Sequence, residues 1–259
     1  MKRVFITGAS SGIGAALARR YAEQGASLGL LARREQVLRQ LAAELPNSSA
    51  HRCYAVDVTD HAALAAAAAD FISAGDGVDV VIASAGISVG TLTEHREDLE
   101  VFDEVFAVNV GATVATFAPF IAGMKAQAAN GRAARLVGVA SVAGIRGLPG
   151  AGAYSASKAA VIAYCESLRL ELKRSGIKVV TIAPGYVDTP MTRGNAYPMP
   201  FLLPADEFAA RAVNAIERGV SYRVIPWQMG VAAKLLRLLP NWMYDAAFSR
   251  APHKARKGE

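Results

Sequence analysis

The chain has 259 residues, 53% of them hydrophobic and 19% charged; that length and balance suit one large α/β domain or two small ones and exclude a disordered chain. The net charge of +6 comes from scattered lysines and arginines, so nucleic acid is not an expected partner. Two cysteines, Cys53 and Cys165, and four widely separated histidines, His51, His61, His95 and His253, give no disulfide framework and no metal-ligand spacing, and a reducing, cytoplasmic setting is expected.

Residues 3–7 read as the first strand and 12–24 as the first helix. The basic tip and brief apolar run before Gly8 are too short for a signal peptide, and no apolar run is expected to reach the ~20 residues that cross a bilayer. The strand runs into Thr7-Gly8-Ala9-Ser10-Ser11-Gly12-Ile13-Gly14. Gly8 permits a tight turn, Gly12 lets the backbone approach a pyrophosphate, and Gly14 lets helix and strand pack closely. The N–H groups at the helix start then face the anion.

A second strand, 27–31, ends at Ala32-Arg33-Arg34. Rossmann sites for NAD place a carboxylate there to bind the ribose hydroxyls. Ala32 occupies that place here, and arginine grips a 2′-phosphate bidentately. The expected cofactor is therefore NADP(H), with Arg33 as main contact and Ser10 and Arg34 assisting. The plainer reading makes both arginines solvated charges opening the next helix, 35–45.

A third strand, 53–56, leads to Asp57-Val58 and an alanine-rich helix, 62–74, with Asp60 or Thr59 as N-cap. Residues 78–83 are continuously apolar, as for a strand buried on both faces; Ala85-Gly86 follow. A long helix, 99–126, contains Asn109, an awkward interior residue unless its amide or a local kink has a role. Residues 135–139 form a fifth strand, and Ser141 follows its end. A helix over 154–174 stops at Ser175-Gly176. Strands at 177–183 and 222–225 complete the set. Strands alternating with helices imply an α/β fold, a doubly wound Rossmann sheet of seven parallel strands flanked by helices. Two irregular stretches, 144–153 and 187–204, follow strands at their C-terminal ends, where ligands bind in such a sheet.

Tyr154 and Lys158 are four residues apart on a helix and share a face. A phenol titrates near 10, too high for ready proton exchange at neutral pH, and a neighbouring ammonium favours the phenolate. Such a tyrosine donates a proton to a carbonyl oxygen as hydride arrives. YxxxK alone is more often a surface pair. The glycine loop, Ser141 and Asn109 shift the balance towards catalysis.

TGASSGIG at residues 7–14 resembles the cofactor signature of the short-chain dehydrogenase/reductase family. The resemblance covers residues 3 to about 226. It implies a catalytic tetrad in which Asn109 helps hold a proton-relaying water and Ser141 orients the substrate. Tyr154 is then the general acid/base, and Lys158 lowers its pKa and binds the nicotinamide ribose. It also implies that Asp57 and Val58 contact adenine, and that Pro184, Gly185, Val187 and Thr189 lie at the nicotinamide side. Ala83-Ser84 depart from the family's NNAG motif, so the usual asparagine tie between strands is missing. Members commonly pair through the helices of Asn109 and Tyr154, so a homodimer or homotetramer is expected. The substrate is a small ketone or alcohol. Two other readings stand beside this one, a non-catalytic NADP(H)-binding sensor or scaffold, and a sugar-nucleotide epimerase or dehydratase.

Met191, Tyr197, Met199, Phe201, Leu202 and Leu203 make an apolar lid, which suits an apolar or lipid-like substrate or, equally, a lid core or subunit interface. Residues 1–226 read as the NADP(H)-binding catalytic domain, and 227–259 as an amphipathic extension packed on or beside it. Its helix, 228–239, carries Val231, Leu235 and Leu238 on one face. Covering the substrate site, packing in a dimer and weak peripheral membrane contact are all open to it. The basic tail, residues 253–257, reads as a solvated, frayed end, or as a weak attractor of anionic lipid or polyphosphate.

Overall fold

Seven short apolar segments form one sheet: β1 (Arg3–Thr7), β2 (Ser27–Ala32), β3 (Arg52–Ala55), β4 (Val80–Ala83), β5 (Arg135–Val139), β6 (Lys178–Pro184) and β7 (Tyr222–Ile225). Their order is β3-β2-β1-β4-β5-β6-β7, every neighbouring pair parallel. The order reverses at β1, which pairs with β2 on one side and β4 on the other, the switch point of a doubly wound Rossmann sheet. The structure, a computed structural model, describes residues 1–195, 197–249 and 254–258.

Ten helices are found among the described residues: α1 (Gly12–Glu23), α2 (Glu35–Glu44), α3 (His61–Ser73), α4 (Asp98–Phe106), α5 (Ala112–Ala129), α6 (Gly152–Glu171), α7 (Pro190–Arg193), α8 (Ala205–Glu217), α9 (Trp227–Leu238) and α10 (Asn241–Phe248). Alternation along the strands sends side chains into two layers. Val4, Ile6, Leu28 and Leu30 pack with Leu17, Tyr21, Leu38 and Phe208 of α1, α2 and α8. Phe5, Leu31, Val81 and Leu136 face the other way, onto Phe71, Phe117, Phe120 and Leu168 of α3, α5 and α6. The N-cap of α3 is Asp60, whose carboxylate accepts from Ala63 N at 2.9 Å. Thr59 turns instead to Asp57 Oδ1.

Several sequence expectations change. First, α8 lay unrecognised behind the prolines of 187–204. Its signal is plain in hindsight: Phe208, Ala212 and Ile216 recur at helical spacing, and Asp206 and Glu207 fill the first turn after Pro204. Second, the long helix is two helices, joined by a π-helical turn at Ala107–Gly111 that contains Asn109. Taken together, Asp98–Ala129 is long and apolar enough to cross a membrane by length and composition, contrary to the expectation that no such run exists. Phe117, Phe120 and Met124 are nevertheless buried against the sheet, as in the core helix of a globular domain.

Third, the basic tail is docked rather than frayed. His253 lies outside the described residues, but Ala255 O accepts from Gly90 N at 3.0 Å. Arg256 pairs with Asp98 at 2.9 Å and Glu97 at 3.0 Å. Lys254 Nζ donates to Met191 O at 3.2 Å. Residues 254–256 thus strap the β4–α4 loop to α7. The Arg256 guanidinium, and then the Leu92 N–H, hold the Asp98 carboxyl below the usual carboxylate range. The strap is therefore fully held above that range and loosens as pH falls through the depressed value. At neutral pH, Arg256→Ala is expected to speed tryptic cleavage after Lys254 by about tenfold. Equal cleavage rates would show that the ion pair does not hold the strap.

Candidate active site

One cleft runs across the carboxyl ends of the strands, over the switch point. The β1–α1 loop forms its floor, with Gly8 at φ +69° and Gly12 at φ +53°, left-handed conformations that favour glycine. A Cβ on Gly14 would overlap the Gly8 carbonyl, so the loop closes only with glycine there. Ser11, the N-cap of α1, is extended and makes no side-chain cap bond. The first N–H groups of α1 therefore keep their donors for an anion. Ser10, Ser11, Gly12, Ile13 and Gly14 all line the cleft.

Beside this floor lies the end of β2. Ala32, Arg33 and Arg34 line the cleft, as do Asp57 and Val58 after β3. Arg34 Nη2 donates to Ser10 Oγ at 3.0 Å. Arg33, largely exposed, lies 3.7 Å from Asp57 Oδ2. The sequence reading gave Arg33 the leading part. The pair already joined at the cleft rim is Arg34 and Ser10. Ser10 hydroxyl, two guanidiniums and no carboxylate on β2 fit a phosphate on an adenosine ribose.

At the other end stand Ser141, Tyr154 and Lys158. Ser141 follows β5, and its Oγ accepts from Ala143 N at 3.1 Å. Tyr154 and Lys158 both come from the first turns of α6. Lys158 Nζ is buried and donates to Val139 O at 3.0 Å, 5.9 Å from the Tyr154 ring centroid. Burial pushes the Lys158 ammonium down to about 8. Burial likewise pushes the Tyr154 phenol above its usual value, and a hydrogen bond with Ser141 pulls it partly back. Among protein groups alone, burial sets the direction of the phenol's shift, which is upward and opposite to the lowering that the sequence suggested.

Asn109 is fully buried and stands behind the cleft rather than in its wall. Its Oδ1 accepts from Ile87 N at 2.9 Å, and its Nδ2 donates to Ile87 O at 3.0 Å and Ser157 Oγ at 2.9 Å. The π-turn aims the amide across from α4–α5 to α6 and to the loop after β4. Its main-chain carbonyl accepts from Thr113 Oγ1 at 2.8 Å. The asparagine missing from β4 has a substitute: Thr7 Oγ1 donates to Ile82 O at 3.5 Å and accepts from Ser84 N at 3.3 Å. These bonds are long, but they join β1 to the end of β4.

Ala85, Gly86, Pro184, Gly185, Val187 and Thr189 also line the cleft. Sequence reasoning missed Ile87, Val108, Pro190 and Thr192, which also line it. Val108 lies in the π-turn, which no periodicity announces. Thr192 Oγ1 accepts from Thr189 N at 3.1 Å, a reciprocal threonine pair that TPMT in the sequence could have suggested as a helix start. Of the lid residues, Met191 lines the cleft. Phe201 and Leu202 are exposed, whereas Leu203 packs against the core. Among the described residues no group of three or more His, Cys, Asp or Glu could hold a metal ion.

A family model described as short chain dehydrogenase matches residues 2–198. An uncharacterised oxidoreductase of Myxococcus xanthus (strain DK1622) is 34% identical, over 96% of this chain and 97% of its own. Another, from Mycobacterium tuberculosis, is 35% identical over 96% of each chain. A solved structure of a 3-ketoacyl-(acyl-carrier-protein) reductase from Brucella melitensis, complexed with NADH, superposes with a TM-score of 0.78 at 27% identity. That match covers 86% of this chain and 96% of that one.

Proposed function

Because the chain belongs to the short-chain dehydrogenase family, as a nucleotide-binding oxidoreductase, we propose that it moves hydride between NADP(H) and a carbonyl or alcohol carbon, with Tyr154 as general acid/base. The observation that carries this reading is the continuity of one cleft, with the glycine loop at one end and Ser141, Tyr154 and Lys158 at the other. The cofactor, when bound, supplies or takes up the hydride. The chain's own residues do the rest. The first N–H groups of α1 bind the pyrophosphate, and Asp57 and Val58 flank the adenine. Arg34 with Ser10, and Arg33 beside them, take the 2′-phosphate. Ser141 donates a hydrogen bond to the substrate oxygen, and Tyr154 gives that oxygen a proton in the reductive direction. Lys158 holds the nicotinamide ribose. Asn109 positions the Ile87 loop and the first turns of α6.

Residues 1–226 form the catalytic unit, and the extension that follows begins with α9, which packs on β7 and beside the turn after Ser141. Met191 in the cleft wall supports an apolar substrate. Exposed Leu99 and Phe102 on α4, Val114 on α5 and Leu170 on α6 support pairing of two copies through those helices.

The test follows NADPH and NADH oxidation against short, aromatic, steroid-like and long-chain ketones. Turnover with NADPH is expected to exceed that with NADH. Arg34→Ala is expected to lower kcat/KM for NADPH by about 10- to 100-fold, the worth of a charge-assisted contact, and to leave NADH unchanged. Faster turnover with NADH would overturn the cofactor assignment and leave the reductase. Tight NADPH binding without turnover of any ketone would favour a sensor or scaffold.

A further inference from the structure

The C-terminal helices have one satisfied face and one without a partner. Inward, Gly230 and Ala233 of α9 and Tyr244 of α10 are buried, and Gly230 sits against Val224 of β7. Outward, Trp227, Val231, Leu235 and Leu238 follow one another at helical spacing along α9. Trp242 and Met243 continue the stripe on α10. All six are exposed, Leu238 to 79% and Trp242 to 73%. Scattered exposed apolar residues are ordinary; a continuous stripe with a tryptophan near each end is not.

The charge along this stripe is mainly positive, with Asp245 of α10 the exposed carboxylate beside Trp242. Between Glu217 and Asp245 the sequence contains no acidic residue and four cations, Arg218, Arg223, Lys234 and Arg237, every one exposed. On α9, Lys234 borders the stripe at its edge and Arg237 lies about a quarter turn farther round the helix. A second copy would suit this face poorly. A two-fold contact sets a patch against itself, and here it would bring Lys234 and Arg237 against their own copies, with Asp245 the single carboxylate of α9 and α10 to receive them. An anionic lipid surface meets both features: acyl chains take the apolar stripe, headgroups take the lysine and arginines, and tryptophan favours the boundary.

We propose that the outer face of α9–α10 docks on an anionic lipid surface. The docked face is wired to the cleft. Arg146, in the loop after Ser141, donates to Arg237 O at 3.3 Å and Leu239 O at 3.4 Å, and its guanidinium lies 4.3 Å from the Tyr244 ring centroid. Tyr244 Oη donates to Gly147 O at 2.6 Å, and Met229 of α9 lies against Gly185. A seated α9–α10 therefore sets the substrate side of the cleft beside the bilayer. The corollary is a carbonyl or alcohol substrate that partitions into lipid; unlike the docking, it rests on the hydride-transfer reading.

The experiment is flotation of the full chain with vesicles of phosphatidylcholine alone and of phosphatidylcholine with about one third phosphatidylglycerol. The protein is expected to float with the mixed vesicles at least about tenfold more than with the neutral ones, and high salt is expected to reduce it. Leu235→Glu with Leu238→Glu should abolish flotation, and Lys234→Glu with Arg237→Glu should weaken it. Far-ultraviolet circular dichroism and thermal melting report folding of both variants. If the leucine variant fails to fold, the charge variant and the salt series carry the test. A wild-type chain that stays down with both vesicles overturns the proposal, as does a folded leucine variant that floats like wild type. If the same leucine variant instead converts a dimer to a monomer on size exclusion, a second copy covers the face and the proposal fails. Flotation needs no turnover, so its failure and that of the reductase reading are separate results.

Discussion

Replacing Tyr154 by phenylalanine is expected to cut turnover of the best carbonyl substrate by about 10³-fold, within the range that a positioned general acid contributes. The change removes one oxygen and leaves the ring, so packing at the start of α6 should survive. NADPH affinity is expected to stay within about twofold, because a group that acts in the transition state adds little to ground-state binding. The chemistry of the site explains the size of the effect. Burial pushes the Tyr154 phenol up, so the hydroxyl keeps its proton at neutral pH, and Ser141 is its hydrogen-bond partner. Remove the hydroxyl and the developing alkoxide keeps Ser141 as a hydrogen-bond donor but loses the phenolic proton. Steady-state turnover and NADPH titration by fluorescence measure the two quantities. A variant that keeps more than about a tenth of wild-type turnover would show that the proton comes from elsewhere. Loss of NADPH binding in parallel would show that the residue builds the site and does not act in it.

Much of this arrangement was legible in the sequence, for identifiable reasons. Each strand is a short apolar run bounded by turn residues, so all seven could be read, and the parallel order follows from the helices between them. The glycine loop was legible because its spacing has a steric reason at each glycine. Tyr154 and Lys158 were legible because helical geometry puts i and i+4 on one face. What stayed hidden depends on contacts between distant segments. Nothing near Arg256 in sequence announces Asp98, 158 residues away, so a docked strap read as a loose tail. Thr7 replaces the absent asparagine on β4 only because β1 and β4 are neighbours in the sheet. The π-turn at Asn109 was half legible: the sequence marks the asparagine as misplaced in a helix, but not the Ile87 and Ser157 groups its amide joins. The phenol's direction was misjudged because proximity in sequence gives the charge and not the burial. The same burial governs Lys158.

Lys158→Met is expected to abolish turnover, by about 10³-fold, and at the same time to stabilise the chain measured without cofactor. The two effects share one cause. A lysine free in water titrates at 10.5, and burial brings Lys158 down to about 8, so holding the ammonium in the fold costs about 3 kcal/mol at neutral pH. Methionine keeps most of the aliphatic length and drops the charge. It also leaves the Val139 carbonyl without its donor, which costs about 1–2 kcal/mol. The net gain is about 1–2 kcal/mol, or a Tm rise of about 2–8 °C for a chain of this size. The pH dependence gives the sharper test. Between about 8 and 10.5 the folded wild type has released the Lys158 proton while the unfolded chain still holds it, so wild-type stability rises with pH across that window. The methionine variant has no such group, and its advantage should be largest at pH 7 and shrink towards pH 10. Calorimetric melting of both proteins over that range measures it. A variant less stable at pH 7, or an advantage that does not change with pH, would mean that the ammonium is not the strained group burial makes it. A variant that is more stable and inactive would place the strain in the group that does the work, since the position that costs the fold is the one proposed to hold the ribose, 5.9 Å from the Tyr154 ring.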